Sequence, residues 1–486
     1  MSEALQRRRS DHGFLGQPRT LANLFGVEMW ERFSFYGMQG ILLIYLYYSA
    51  ARGGLGLDQD TATSIVGAYG GLVYLSTIVG AWLADRVLGP ERVLFASGAV
   101  VLAGHVALAV LPGLLGVGVG LVLVAFGSGG VKATATTMVG ALYAEGDERR
   151  DAGFSLFYLG INLGALAGPL LTGLLRDAAG FHYGFGLAAI GMAAGLVQYW
   201  LGRKRLPEHS RHVPDPLPAA RRTPVALAAA GVVAVVVVLA LLDVLTPDRL
   251  DEVVVALVVV ASLAYFAIVL GSSRISTTER SRVLAFIPLF LTSVAFWALF
   301  QQQFTVVTVY SDQRLDRNLF GWEMPVAWVQ SINPVFIILL APVFAALWTK
   351  LGSRQPSTPV KFALGAAFMG VAFLLFIPMA GGGPASAPLL GLIGILLVFT
   401  VAELLLSPVG LSVTTKLAPE LFRTQLVALF YLSVALGTAL AGTLAGYYSP
   451  DTERTYFGLI GGTAIVVGAV LLLLSPLVRR LMSGVR

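Results

Sequence analysis

The chain has 486 residues, 56% apolar and only 12% charged, with a formal net charge of +6 and no cysteine. Soluble domains carry about a quarter charged residues, so this composition excludes an ordinary set of soluble domains. The missing thiols exclude disulfides, thiolate metal sites and cysteine nucleophiles.

Apolar runs long enough to cross roughly 30 Å of hydrocarbon as helices recur along the whole chain. The class is therefore all-α integral membrane. Residues 1–20 are basic but lack a short apolar core followed by a small-residue cleavage site, and read as a cytoplasmic tail. Six spans follow, at about 21–48, 60–84, 92–111, 114–143, 152–176 and 182–202, forming an N-terminal bundle over 21–202. Residues 203–282 open with the polar, Pro-rich RKRLPEHSRHVPDPLPAARR, a hinge-like link between halves. They also carry two spans, at about 224–244 and 251–271, rich in Val, Ala and Leu as lipid-facing helices should be. The last six spans, at about 283–310, 323–349, 360–379, 388–416, 423–447 and 456–480, form a C-terminal bundle over 283–482. Fourteen helices in groups of six, two and six suggest a repeated architecture with an inserted pair.

Lysine and arginine decide the orientation. With the N-terminus inside, the external segments hold only Arg52, Arg176, Arg249, Arg314, Arg317 and Arg454, and all others except Arg32 and Lys132 lie on the cytoplasmic side. Both termini are then cytoplasmic, and the positive net charge reflects topology, which removes the nucleic-acid reading. At the cytoplasmic end of the second span stands Gly80-x-x-Leu83-Ala84-Asp85-Arg86-x-x-Gly89-x-x-Arg92. It resembles the loop signature of the major facilitator superfamily, with a weaker counterpart in ALWTKLGSR (Ala346 to Arg354).

Ionisable groups in mid-span cost at least ~2.5 kcal/mol each and mark function by default. The first span carries Glu28, Glu31 and Arg32, whose spacings put Glu28 beside both others on one helical face. Lys132 lies mid-span in the fourth, flanked by Gly127, Gly129 and Gly130 and by Thr134, Thr136 and Thr137; Glu403 lies in the tenth. These five are expected to face one water-filled cavity, against the plainer reading of ion pairs that hold helices together. Arg32 and Lys132 can bind a carboxylate and Glu403 an ammonium group, which fits a zwitterion with separated termini. A carboxylate whose proton affinity changes as a cation approaches supplies the basis of proton coupling.

The first-span motif, Glu28-x-x-Glu31-Arg32-Phe33 followed by Tyr36-Gly37, resembles the signature of the proton-dependent oligopeptide transporters, with Phe35 in place of a tyrosine. FSLFYLGINLGAL (Phe154 to Leu166) is similar to the fifth-helix signature of that family. GVKATATTMVGALY, FWALFQQQ, QSINP and ELLLSPVGLSVTTKLAP also match, and the likeness runs from about residue 20 to 480.

The resemblance implies a major-facilitator-type fold of two six-helix bundles plus two inserted helices. It implies import of di- and tripeptides by proton symport, with protons as coupling ion and no other cofactor, by a multi-pass cell-membrane protein working as a monomer in lipid. Glu28, Glu31 and Arg32 would couple protons and bind the carboxylate with Lys132. Glu403 would receive the peptide amino terminus and pair with Lys132 when the site is empty. Asn162 and Asn333 would bind the peptide backbone, and Tyr36, Tyr69, Trp297 and Phe430 would line side-chain pockets. Many members have an arginine and an acid at an external gate, where this chain has Gln39 and Gln301; the two glutamines are expected to hydrogen-bond across the closed gate. The histidine that some animal members carry in the second helix is absent, and His105 in the third span reads as a packing residue.

Gly127, Gly129 and Gly130, Asn333-Pro334, Pro342, Ser407-Pro408 and Gly410 could serve bending or, alternatively, close helix packing. The same scaffold could carry another small solute, such as a peptide-like drug or nitrate. An integral-membrane enzyme would need a nucleophile–base or metal constellation, and none with ligand spacing appears within the spans.

Overall fold

The computed structural model describes residues 13–143 and 147–485; most of the expected 1–20 tail lies outside the described residues. Fifteen α-helices appear among them. The helices are α1 (Arg19–Tyr47), α2 (Gln59–Leu83), α3 (Pro90–Val110), α4 (Gly113–Gly140), α5 (Arg150–Ala179), α6 (Phe181–Gly202), α7 (Ala219–Leu241) and α8 (Leu250–Gly271). Then come α9 (Thr277–Phe300), α10 (Val306–Gln313), α11 (Ile332–Leu351), α12 (Thr358–Leu374), α13 (Leu389–Leu417), α14 (Arg423–Gly446) and α15 (Glu453–Leu481). Thirteen helical stretches among the described residues are long and apolar enough to cross a membrane. α1 is long enough too, at 29 residues, but holds four charged residues, Arg19, Glu28, Glu31 and Arg32.

The chain forms two compact units, one of residues up to 56 and 75–250, the other of 57–74 and 251–486. In the first unit α1 packs on α5 and α6, and α3 on α4 and α6. The fifth-helix signature owes its glycines to this packing. A Cβ on Gly164 would lie 2.2 Å from the Met29 carbonyl oxygen, and one on Gly168 would lie 2.4 Å from that of Phe33. Gly160 meets the Phe25 ring in the same row. Small residues four apart thus bring two backbones together, as membrane helices require where apolar burial gives no drive to associate.

The Pro-rich link is fastened within the first unit. The Asp215 and Leu217 amides donate to the Asp85 and Arg86 carbonyls at 3.0 and 2.9 Å, and Arg86 pairs with Asp215. Gly89, with φ +84°, brings the loop signature against the Arg211 carbonyl oxygen, 2.8 Å from where a Cβ would stand. Only glycine accepts that backbone conformation without strain. The hinge-like link is therefore strapped to the loop motif.

In the second unit α12 packs on α13 and α15, and α9 on α14 and α15. Near the start of α15, buried Glu453 accepts from Arg314 Nε at 2.9 Å, the Tyr448 hydroxyl at 2.9 Å and the Gly381 amide at 2.7 Å. The hydrogen bond to Glu453 holds the Arg314 guanidinium above its ordinary range. Burial, with Glu453 beside it, pushes the Tyr448 phenol up.

Three expected spans differ. The span at 283–310 starts earlier, because Ser276 and Glu279 form a capping box, with Glu279 N to Ser276 Oγ at 3.2 Å and Ser276 N to Glu279 Oε2 at 2.8 Å. It is also interrupted by a 3₁₀ turn at Gln301–Phe304, with Thr305 at φ −121°, ψ −93°. The span at 323–349 begins with a short hairpin, Asn318–Leu319 paired to Trp322–Glu323, and a 3₁₀ segment, Val326–Ser331. Pro334 sits in the first turn of α11, where a missing N–H breaks no intrahelical bond; it is not a mid-span kink. Of the inserted pair, α7 buries nothing, as expected. α8 instead buries Asp251, Val254, Val258, Ser262 and Val269. Asp251 accepts hydrogen bonds from Ser64 at 2.7 Å and Thr443 at 2.6 Å, which docks α8 onto α2 and α14.

Gly164→Ala is expected to lower stability by about 1–3 kcal/mol through overpacking. Gly118→Ala, with open space where its Cβ would go, should be neutral or slightly stabilising. Thermal unfolding of the two variants in detergent makes the comparison.

Candidate functional site

Glu28, Glu31 and Arg32 occupy adjacent turns of α1 and are 3%, 0% and 2% exposed. The guanidinium serves both acids: Arg32 Nε donates to Glu28 Oε1 at 2.8 Å and lies 3.0 Å from Glu31 Oε2. The other Glu31 oxygen accepts from Ser128 Oγ of α4 at 2.7 Å. Glu28 Oε2 is buried with no hydrogen-bond partner. The Lys132 ammonium lies 5.2 Å from the centre of the Phe35 ring and the Arg32 guanidinium 5.8 Å from it. Two cations thus face one aromatic ring within reach of cation–π attraction, and both acids meet one of them. Ser128 was missed in the sequence. Its signal is the spacing of four residues from Lys132, which puts both on one face of α4.

The α4 glycines hold that face in place. A Cβ on Gly129 would meet Ser76 Oγ at 2.0 Å, one on Gly130 would meet Ser97 Oγ at 2.0 Å, and one on Gly127 would meet the Ser97 carbonyl oxygen at 2.7 Å. α4 is unbroken over Gly113–Gly140, so the observed role of these glycines is close packing on α2 and α3. Tyr36 meets Phe35 edge to face at 5.2 Å. Asn162 donates from Nδ2 to the Tyr158 carbonyl of its own helix at 2.9 Å. Gln39 is buried, and its Oε1 has no hydrogen-bond partner. His105 is fully buried with neither ring nitrogen hydrogen-bonded, as fits a packing residue.

In the second unit Glu403 stands on α13 and accepts from Asn333 Nδ2 of α11 at 3.2 Å. The same amide nitrogen donates to Thr400 Oγ1 at 3.1 Å, one turn before Glu403. Asn333 therefore orients the acid, and Thr400 is a further group the sequence did not single out. Trp297 is buried with its indole N–H unpaired. The Phe430 ring of α14 rests on Gly410 of α13, where a Cβ would come within 2.4 Å of it. Tyr69 is buried on the part of α2 that meets α14 through Gly67 and Gly442.

Gln301 is buried at the start of the α9–α10 break. There Gln302 Nε2 donates to the Ala298 carbonyl at 3.1 Å and Gln302 Oε1 accepts from the Tyr456 hydroxyl at 2.8 Å. Thr308 Oγ1 donates to the Gln303 carbonyl at 2.8 Å and accepts from Gln330 Nε2 at 3.3 Å. Side chains thus take over backbone groups that the interrupted helix leaves open. The three consecutive amides were the available signal for this break.

The POT family model matches residues 91–460 of this chain. The chain belongs to the POT family. Its relatives include the "Uncharacterized transporter YclF" of Bacillus subtilis, 43% identical over 100% of this chain and 99% of that protein. The "Di-/tripeptide transporter" of Lactococcus lactis subsp. cremoris is 40% identical over 98% of this chain and 99% of its own. Among solved structures, a peptide transporter POT in complex with sulfate superposes with a TM-score of 0.93 at 44% identity, covering 100% of both chains. The α1 trio lies outside the matched stretch but inside the full-length likeness to these relatives. This POT family member is a multi-pass membrane protein.

Ser128→Ala removes a hydrogen bond to a carboxylate, worth about 1.5–3 kcal/mol. A lower unfolding temperature than that of the parent protein is the expected result, measured in detergent at neutral pH.

Proposed function

We propose that this protein imports di- and tripeptides by proton symport through alternating access. The observation that carries the reading is one guanidinium shared by two buried carboxylates, with a lysine beside it. Family membership and the di-/tripeptide transporters among the relatives support it.

The trio Glu28, Glu31 and Arg32 carries two negative charges against one positive. A peptide carboxylate that approaches Arg32 and Lys132 must compete with acids already holding the guanidinium. A proton taken up by Glu28 or Glu31 removes that competition and frees N–H groups for the substrate. When the peptide leaves, the deprotonated acid reclaims the guanidinium, so proton and peptide travel together. Glu403, oriented by Asn333, receives the peptide ammonium; Asn162 serves the peptide backbone and Tyr36, Tyr69, Trp297 and Phe430 its side chains. Protons are the coupling ion, the working unit is one chain in lipid, and the arginine and lysine distribution puts both termini in the cytoplasm.

In reconstituted vesicles, Glu28→Gln and Glu31→Gln are expected to abolish proton-driven accumulation of a labelled dipeptide while leaving peptide exchange measurable. Full accumulation in both variants would refute the coupling role. Unlabelled dipeptide should compete with the label and nitrate should not; competition by nitrate alone would transfer the scaffold to another solute.

Gln39 and Gln301 form the external gate in this reading, with amides where other members carry a charge pair. An amide pair holds no net charge, so its strength is indifferent to salt in a way an ion pair is not. Gln301→Ala should therefore change uptake rate and the accessibility of an engineered external thiol. Unchanged values for both would remove the gate assignment.

A further inference from the structure

We propose that the first unit carries a binding site for one anionic phospholipid, formed by the C-terminal end of α6, the start of α3 and the link that follows α6. A cavity of about 490 Å³ opens there, lined by Glu91, Arg92, Trp200, Arg203, Lys204 and Arg211. Its one acid is already satisfied. Glu91 is 1% exposed and takes a two-point contact from Arg203, Nε to Oε1 at 2.7 Å and a second guanidinium nitrogen to Oε2 at 3.1 Å. Arg203 is further held by the Phe95 ring, 4.4 Å away, and by Arg211, which donates to its carbonyl at 3.0 Å. That leaves Arg92, Lys204 and Arg211 as cations on one concave surface with no carboxylate ion-paired to them among the described residues. Such a basic pocket at a membrane-helix end suits a phosphate-bearing headgroup.

A second feature selects a lipid over a soluble anion. An adjoining groove of about 740 Å³ follows the outer face of α6 past Ile190, Ala193, Ala194, Val197 and Leu201. Leu201 lines both the groove and the basic cavity. Ile190, Val197 and Leu201 are 67%, 57% and 68% exposed, and their spacing along the helix covers about 16 Å. Gln198, Gly202 and Arg205 complete its lining. Trp200, 58% exposed at the junction, is the residue type that settles at headgroup level. Charge at one end and an apolar channel leading away from it match an acidic headgroup with one acyl chain.

The test uses the full chain, purified in neutral detergent and stripped of lipid. Native mass spectrometry follows retention of dioleoylphosphatidylglycerol and of dioleoylphosphatidylcholine. One phosphatidylglycerol should be retained in preference to phosphatidylcholine. Arg92→Gln with Lys204→Gln, two exposed side chains outside the transport site, should weaken it by about thirtyfold, given the usual worth of two cations near a lipid headgroup. Val197→Gln should weaken the same lipid through the groove. Equal retention of the two lipids, unchanged retention in both variants, or displacement by glycerol phosphate without acyl chains would overturn the proposal.

Discussion

One guanidinium between two carboxylates, in a place almost free of solvent, is the constraint from which the rest of this molecule follows. Removing charges from water costs several kcal/mol per ion unless each finds a partner. Arg32 can be tolerated in the membrane interior because Glu28 and Glu31 meet it, and they because it meets them. The arrangement is deliberately short of donors, since Glu28 keeps one buried oxygen without a partner. A fully satisfied network would be rigid and inert. In the proposed mechanism a single proton or a single incoming carboxylate alters which group holds the arginine.

That balance depends on position, and position is set by glycine. Gly160, Gly164 and Gly168 let α5 lie against the backbone of α1, so the helix that carries the trio cannot drift by a fraction of an ångström without a clash. Gly127, Gly129 and Gly130 do the same for the face of α4 that presents Ser128 and Lys132. In the second unit Gly410 makes room for the Phe430 ring and Gly67 meets Gly442. Dispersion between closely packed backbones is the main source of helix association in lipid. The same residues that stabilise each unit therefore hold the polar groups of each site.

The two units treat polar groups in contrasting ways. The first concentrates charge: Glu28 and Glu31 meet Arg32, and Arg32 and Lys132 face the Phe35 ring. The second has an ion pair, buried Glu453 with Arg314, but around Glu403 and the α9–α10 break it uses neutral groups: an amide orients Glu403, and Gln302, Thr308, Gln330 and Tyr456 stitch the break. Neutral donors and acceptors cost less to bury than charges. A break can thus persist in the apolar stretch from α9 to α10 without a compensating ion pair.

The amino-acid sequence by itself determined the class, the number and order of the long helices and the buried charge trio of the first helix. Each of these rests on local physics: the length of an apolar run, the cost of an ion in hydrocarbon, and the three- and four-residue spacing that joins Glu28 to Glu31 and Arg32. It also carried the family, through motifs whose residues sit close together in the chain. Only the tertiary structure decided that Ser128 donates to Glu31, that Glu403 and Thr400 share the Asn333 amide, that Asp251 docks α8, and that the Pro-rich link is bound to the Asp85–Arg86 loop. Those contacts join positions far apart in sequence, and no local rule ranks one distant hydroxyl or carbonyl above another. The interruption at Gln301–Phe304 belongs to the same class, because hydropathy reads only how apolar a run is. Whether a helix continues through it depends on which neighbours can accept its freed backbone groups.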